Sequence, residues 1–308
     1  MRALLATPNG PEPAELREIP PPTPAPDEAL LEVRAASLNR GELALLARRP
    51  DWGPGQDVAG VVAEAAADGS GPPPGTRVVA MVEQGGWAER VGAPTTRLAS
   101  LPDGVGFAEA ATLGVAAMTA LRALREVSGP LLGSRVLVTG ASGGVGRFGV
   151  QLASLAGADV TAVARDAGRA EGLLELGASR VVLEAEDLPG PFDVVLEGVG
   201  GASLERSVRA LGTRGVALLY AATDPEPARI GLFDFLGHAG AGARIQGFGV
   251  YRTPVETFGQ DLGYLAGLLA AGKLRAPVGL KVSWRELGGA TEALRDRRVK
   301  GKVVLQID

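Results

Sequence analysis

Apolar and polar positions follow two different rhythms along this chain. In its first third they form short runs: Leu30-Leu31-Glu32-Val33-Arg34-Ala35, Val58 to Ala65, and Arg77 to Val82. Glycine and proline separate these runs, at Gly53-Pro54-Gly55 and again from Gly69 to Gly75. Short runs between such turns predict strands of a small β-barrel or sandwich. Eight of the 22 prolines lie between Pro8 and Pro26, so that stretch can hold only short, edge-like strands and turns. From Phe107 to Glu126 the chain is rich in Ala and Leu and predicts one or two helices.

After Arg135 the rhythm changes to strand and helix in turn. Strands are predicted at Val136–Val138, Val160–Ala164, Val181–Leu183, Val194–Leu196 and Val216–Tyr220. Phe148, Leu152 and Leu155 mark one helical face, and further helices are predicted at Ala170–Leu176, stopped by Gly177, and at Leu204–Leu211. Wholly apolar strands alternating with helices imply a parallel sheet covered on both faces. A helix at Leu262–Ala271 and a strand at Lys302–Ile307 complete the pattern.

Composition narrows the chemistry. At 308 residues the chain is long enough for two domains. Its net charge of −4, from 31 basic and 35 acidic residues, provides no electrostatic footprint for nucleic acid. With no cysteine, disulfides, thiolate metal sites and a cysteine nucleophile are excluded together. His238 is the single histidine, which argues against histidine-rich metal sites and reads as a core or surface residue. No signal-peptide core and no run of about 18 apolar residues is evident. The expectation is a soluble, cytoplasmic protein without a membrane partner.

The most informative segment is Val136-Leu137-Val138-Thr139-Gly140-Ala141-Ser142-Gly143-Gly144-Val145-Gly146. It follows a buried strand and opens a helix, the position of a dinucleotide-binding turn. Glycines allow the tight turn and clear space for a pyrophosphate, and the helix N-terminus offers free N–H groups. Gly140, Ser142, Gly143, Gly144 and Val145 are therefore candidate cofactor contacts. The next strand ends Val163-Ala164-Arg165, with Arg169 one helical turn further on. NAD sites usually place a carboxylate at this strand end, whereas a 2′-phosphate calls for arginine. Ala164, Arg165 and Arg169 thus predict NADPH, even though Asp166 would repel the phosphate if it pointed inward.

At this point the sequence resembles the medium-chain dehydrogenase/reductase superfamily, in its zinc-free quinone oxidoreductase and enoyl reductase branch. The resemblance rests on Val33 to Asn39, Gly55 to Val62, Gly75 to Val78, Leu101 to Leu113, Met118-Thr119-Ala120, Gly140 to Gly146, Gln151-Leu152-Ala153 and Gly301 to Leu305, in that order. It implies an α/β architecture: a GroES-like β-barrel catalytic domain (1–112 and 248–308) and a Rossmann doubly wound parallel-sheet domain (113–247). It also implies hydride transfer from NADPH to a quinone or an α,β-unsaturated carbonyl. Asn39 and Gln56 match the zinc-ligand positions of metal-dependent members, and amides are poor zinc ligands, so no metal is expected. By the same resemblance Asn39 lies near nicotinamide and substrate, Thr119 lies beside the nicotinamide, and Gly198, Val199, Phe248 and Gly249 line the cofactor. Lys302 is expected to reach the pyrophosphate. Each also has a plainer reading: a turn residue at Asn39, a helix residue at Thr119, an edge-strand charge at Lys302.

The resemblance breaks at one wall of the pocket. Where relatives often carry a tyrosine, the register here gives Ala44, and the segment between Asn39 and Asp57 is short. Trp52 could refill that wall. A short-chain dehydrogenase is excluded, because about 135 residues precede the turn and no tyrosine has lysine four residues later. Two alternatives stay open: an enoyl-thioester reductase of lipid or polyketide metabolism, and a non-catalytic NADPH sensor. Relatives pair a final Rossmann strand across a two-fold axis, so Ala243–Gly247 predicts a homodimer.

Overall fold

The computed structural model describes residues 1–127, 129–236 and 241–308, so His238 lies outside the described residues. The backbone divides into two compact units, Met1–Met118 with Pro254–Asp308, and Thr119–Thr253. These divisions fall a few residues beyond the boundaries expected from the sequence at 112 and 248.

In chain order, the first unit begins with strands β1 (Arg2–Ala6), β2 (Ala14–Glu18) and β3 (Glu28–Leu38). Helix α1 (Arg40–Leu46) follows, then β4 (Asp57–Glu64), β5 (Arg77–Met81), β6 (Arg90–Pro94) and β7 (Leu98–Ser100). The predicted helical stretch after Phe107 is broken into α2 (Phe107–Ala110), a π-turn over Leu113–Ala117 and α3 (Met118–Arg125).

The second unit contains β8 (Arg135–Val138), α4 (Gly144–Leu155), β9 (Asp159–Ala164), α5 (Ala167–Ala170), β10 (Arg180–Leu183), β11 (Phe192–Glu197), α6 (Gly201–Arg209), β12 (Leu211–Leu219), α7 (Phe233–Leu236) and β13 (Arg244–Gly247). The chain then returns to the first unit with α8 (Phe258–Ala270), β14 (Val278–Ser283), α9 (Leu287–Arg295) and β15 (Lys302–Gln306).

In the first unit the seven-stranded sheet runs β14-β15-β3-β4-β5-β7, with β6 also paired to β3, while β1 and β2 form a separate ladder. Eleven residues long, β3 is the spine: it pairs antiparallel with β15, β4 and β6. Its inward residues Leu31, Val33 and Leu38 pack in one cluster with Val58, Val78, Trp87, Trp284, Val303 and Leu305. Each such buried side chain contributes roughly 1.5–3 kcal/mol by leaving water. The proline-rich N-terminal stretch holds only the two short strands of the ladder, as expected from its missing donors.

The second unit's sheet is parallel throughout, in the order β10-β9-β8-β11-β12-β13. Numbered from its own first strand this is the doubly wound order 3-2-1-4-5-6, with the switch between β8 and β11. Val136, Leu137, Val138, Val160, Ala162 and Val195 are fully buried, which explains their uninterrupted apolar runs.

One expected helix is misplaced. Rather than spanning 170–176, α5 starts at Ala167, because the Asp166 carboxylate caps it by accepting from Arg169 N at 2.9 Å. It ends early, since Gly172 adopts a φ of +77°, outside helical space. Strand β13 sits at the sheet edge, with β12 as its one neighbour among the described residues.

Candidate functional site

Two polar constellations stand out, one in each unit. In the second unit the carboxyl ends of the parallel strands converge around the glycine turn. Gly146 belongs to the first turn of α4, and a Cβ there would lie 2.4 Å from Gly140 O and 2.6 Å from Ala141 Cα. Only glycine allows α4 to start this close to the end of β8. The N-cap, Gly143, has no side chain to cap the helix, so the leading N–H groups at Gly144 and Val145 lack a side-chain cap. Val199 packs over the turn, its Cγ2 3.3 Å from where a Gly140 Cβ would stand, and Gly198 N donates to Thr139 Oγ1 at 3.0 Å. Sequence-distant candidates thus meet: Gly140 to Val145 from the β8 end, Gly198 and Val199 from the β11 end.

Two arginines reach the same turn, and a third follows the end of β9. Arg169 Nη1 donates to Ser142 Oγ at 3.0 Å. Arg147, which sequence reasoning missed, reaches back from α4 toward Ser142 O and donates to Glu171 O at 2.9 Å. Burial lowers its pKa. Arg165 is half exposed and lies 3.4 Å from Asp166. The Asp166 carboxylate is therefore turned to the α5 N-terminus and Arg165. The bond from Arg169 N, and secondarily Arg165, hold its pKa below the ordinary value. At the strand end itself stands the small, buried Ala164. This cradle fits a dinucleotide: glycines where a pyrophosphate needs space, uncapped helix N–H groups, and arginine in place of carboxylate. Thr119 is buried in the first turn of α3, and Phe248 and Gly249 follow the end of β13, with Phe248 N bonded to Leu219 O.

A buried carboxylate explains the turn after β11. Glu197, fully buried, accepts from Val199 N at 2.8 Å, Gly200 N at 3.0 Å and Ser207 Oγ at 2.8 Å. It sets the backbone of Gly198 and Val199. Burial, and then the nearby Glu197, raise the pKa of Tyr220, leaving that phenol a poor acid.

In the first unit the sheet register assembles the other constellation. Val303 pairs with Leu38 and Ser37 with Asp57, so Lys302, Asn39 and Asp57 arrive together from three strands or their ends. Lys302 Nζ bonds Asn39 Oδ1 at 2.6 Å, Leu38 O at 2.8 Å and Asp57 Oδ2 at 3.2 Å. Asn39 Nδ2 donates to Asp57 Oδ2 at 3.0 Å. Asp57 further accepts from Ser37 Oγ at 2.8 Å and from Val115 N at 2.7 Å. Gly114 makes the last bond possible, since a Cβ there would fall 2.2 Å from Asp57 Oδ1. This close approach falls within the π-turn that separates α2 from α3.

Glu42 completes the cluster. It accepts from Asn39 N at 2.7 Å and Gly55 N at 3.0 Å, and burial, then Asp57, push its pKa up to about 7. Sequence reasoning missed Glu42; the Asn-x-x-Glu spacing, a capping signature, is the signal that could have found it. The roles of Asp57 and Gly114 were not legible, because they depend on contacts 58 residues apart.

Lys302, expected to reach a pyrophosphate, points its ammonium into this cluster. An ammonium has three donors, and all three are used within this unit. Trp52 is core packing, with its Nε1 bonded to Gln84 Oε1 at 3.0 Å, and Ala44 is exposed on α1. Zinc does not fit these residues: the two matching positions supply amides, and an ammonium already occupies the Asp57 carboxylate. Among the described residues no group of three histidine, cysteine or acidic side chains could hold a metal.

Comparison with known proteins agrees with this architecture. Residues 25–122 match the alcohol dehydrogenase GroES-like domain model, and residues 144–265 match the zinc-binding dehydrogenase model. The chain belongs to the medium-chain dehydrogenase/reductase superfamily, in its quinone oxidoreductase branch. It is 39% identical over 207 residues to the chloroplast envelope quinone oxidoreductase homolog of Arabidopsis thaliana, covering 62% of this chain and 61% of that one. It is 36% identical over 309 residues to erythronolide synthase EryA2 of Saccharopolyspora erythraea, covering 92% of this chain but spanning only 8% of the synthase. The quinone oxidoreductase structure from Coxiella burnetii superposes with a TM-score of 0.84 at 26% identity, covering 100% and 99% of the two chains. Among the described residues no helix is long and apolar enough to cross a membrane.

Proposed function

We propose that this protein is an NADPH-dependent, zinc-independent reductase that transfers a hydride to a quinone or to the C=C bond of an α,β-unsaturated carbonyl. The observation behind this reading is the pairing of a carboxylate-free strand end at Ala164 with Arg165 and Arg169, beside a glycine turn. NADPH supplies the hydride when bound. Gly140, Gly143, Gly144 and Val145 receive its pyrophosphate, Arg165 and Arg169 its 2′-phosphate, and Thr119, Gly198, Val199, Phe248 and Gly249 border it. Ser142 orients Arg169. In the first unit Asn39 is the group that meets the acceptor: one amide N–H is committed to Asp57, and the second can donate to an acceptor oxygen. An enone or quinone polarises its own acceptor carbon, so this weaker donor suffices without a Lewis acid.

An enoyl thioester is the second reading, favoured by the match to a synthase over nearly the whole chain. A homodimer through the edge of β13, which has one neighbour among the described residues, is part of the proposal, because an unpaired strand edge invites pairing with a second copy. The decisive assay follows oxidation of NADPH and NADH with a panel of quinones, enones and enoyl thioesters. Turnover with NADPH and at least one acceptor, unaffected by chelator, is the expected result. Tight NADPH binding with no turnover on any acceptor would instead identify a sensor. Light scattering at micromolar concentration checks the dimer, and a monomer mass removes it.

A further inference from the structure

Lys302 and Asp57 form an ion pair that is almost sealed from water, with side-chain exposures of 4% and 0%. A buried pair of this kind is weak support for stability, because desolving two charges offsets most of their attraction. Its geometry, however, acts on one residue. Lysine can only donate and an ionised carboxylate can only accept. Placed between them, the Asn39 amide has one possible orientation: Oδ1 to Lys302 at 2.6 Å and Nδ2 to Asp57 at 3.0 Å. The pair is itself anchored, by Leu38 O on the ammonium and by Ser37 Oγ and Val115 N on the carboxylate. Glu42 holds the Asn39 backbone N–H, so both ends of the residue are fixed. The second Nδ2–H has no partner among the described residues, and Asn39 is half-buried.

We propose that Lys302 and Asp57 are positioning residues that lock the Asn39 amide with its remaining N–H facing the acceptor, and that the Lys302 ammonium is the resident cation of this site in place of a metal ion. This rests on the reductase reading above. It assigns Lys302 to the acceptor side of the chemistry and not to the cofactor. It also explains why Gly114 and the π-turn are needed: both serve to bring Val115 N onto Asp57.

The test compares wild type with Lys302→Met and with the charge-neutral pair Lys302→Met/Asp57→Asn. The double variant leaves no orphaned buried charge, so it folds even where the single variant does not. Three readouts are taken: the NADPH dissociation constant from nicotinamide fluorescence, kcat and KM for an accepted quinone, and the Asn39 side-chain amide by ¹⁵N NMR, identified by its loss in Asn39→Ala. In wild type the two amide protons should be widely split and slow to exchange. In the double variant they should converge on free-amide values. The kcat should fall at least about tenfold, the worth of one charge-assisted hydrogen bond, with the NADPH constant changed less than about twofold.

A rise in the NADPH constant as the main effect would overturn the proposal and return Lys302 to the pyrophosphate. An unchanged amide signal and kcat, with only the melting temperature lowered, would overturn it as well. Absence of turnover in wild type would defeat the reductase reading alone, since the NMR splitting still decides whether the pair locks Asn39.

Discussion

The two polar constellations are built on opposite plans. The cradle in the Rossmann unit is made of backbone: glycines, uncapped N–H groups and a strand end, nearly all within Thr139 to Arg169. The cluster in the barrel unit is made of side chains from Ser37, Asn39, Glu42, Asp57 and Lys302, brought together by sheet register. The first is open and screened, and its arginines are partly exposed. The second is mostly buried, with Asn39 half-buried, and its carboxylates and ammonium are held by bonds within it. A backbone cradle tolerates changes around it but not in its glycines, whereas a side-chain cluster fails when any member loses its partner.

The strongest way to break the comparison is to add one methyl group to each plan. In Gly146→Ala the new Cβ meets backbone at Gly140 and Ala141, which cannot yield. The NADPH dissociation constant should rise at least about 30-fold, or the protein should lose more than about 3 kcal/mol of stability. In Gly114→Ala the methyl meets the Asp57 carboxylate, so turnover should collapse while NADPH affinity is kept. Titration calorimetry and steady-state kinetics separate the two. Equal damage to both readouts in both variants would erase the distinction.

Next comes the closed cluster's response to pH. The pKa of Glu42 is raised from 4.5 to about 7, so the folded protein keeps a proton that the unfolded chain releases. This contribution is fully present below about pH 4.5 and is lost as pH rises to about 7. At about 1.4 kcal/mol per pH unit the loss is of the order of 3 kcal/mol. Glu42→Gln cannot ionise, so its stability relative to wild type should improve by that amount between pH 4.5 and pH 8 in urea melts. A constant difference across the range would show that Glu42 stays charged throughout.

Smaller effects are expected in the open cradle. Arg165→Ala and Arg169→Ala should each raise KM for NADPH about tenfold and leave NADH use nearly unchanged. Ala164→Asp added to Arg165→Ala should turn the preference to NADH. Equal loss with both cofactors would make the arginines supports of the fold. Smallest of all, Asp166→Asn keeps the α5 cap and removes an exposed negative charge beside Arg165. It should tighten NADPH no more than about threefold, since solvent screens such charges.

Most of the parallel sheet, its order of elements and its glycine turn were legible in the chain, because each depends on neighbours within about thirty residues. Apolar runs mark strands buried on both faces, and a glycine turn after one of them marks the phosphate site. Local signals failed where a cap moved the start of α5 to Ala167, and they left open whether the stretch after Phe107 holds one helix or two, which the π-turn at Gly114 decides. Asn39 was identified by resemblance, but its orientation was not. That depends on Lys302, 263 residues away in sequence, and on Asp57, 18 residues away. Lysine at the start of a strand reads as a solvated edge charge, and an aspartate after a glycine turn reads as a turn residue. Only the antiparallel register of β15 on β3, and of β3 on β4, turned the pair into a buried clamp, because register decides which side chains share a face and is invisible until the strands have met.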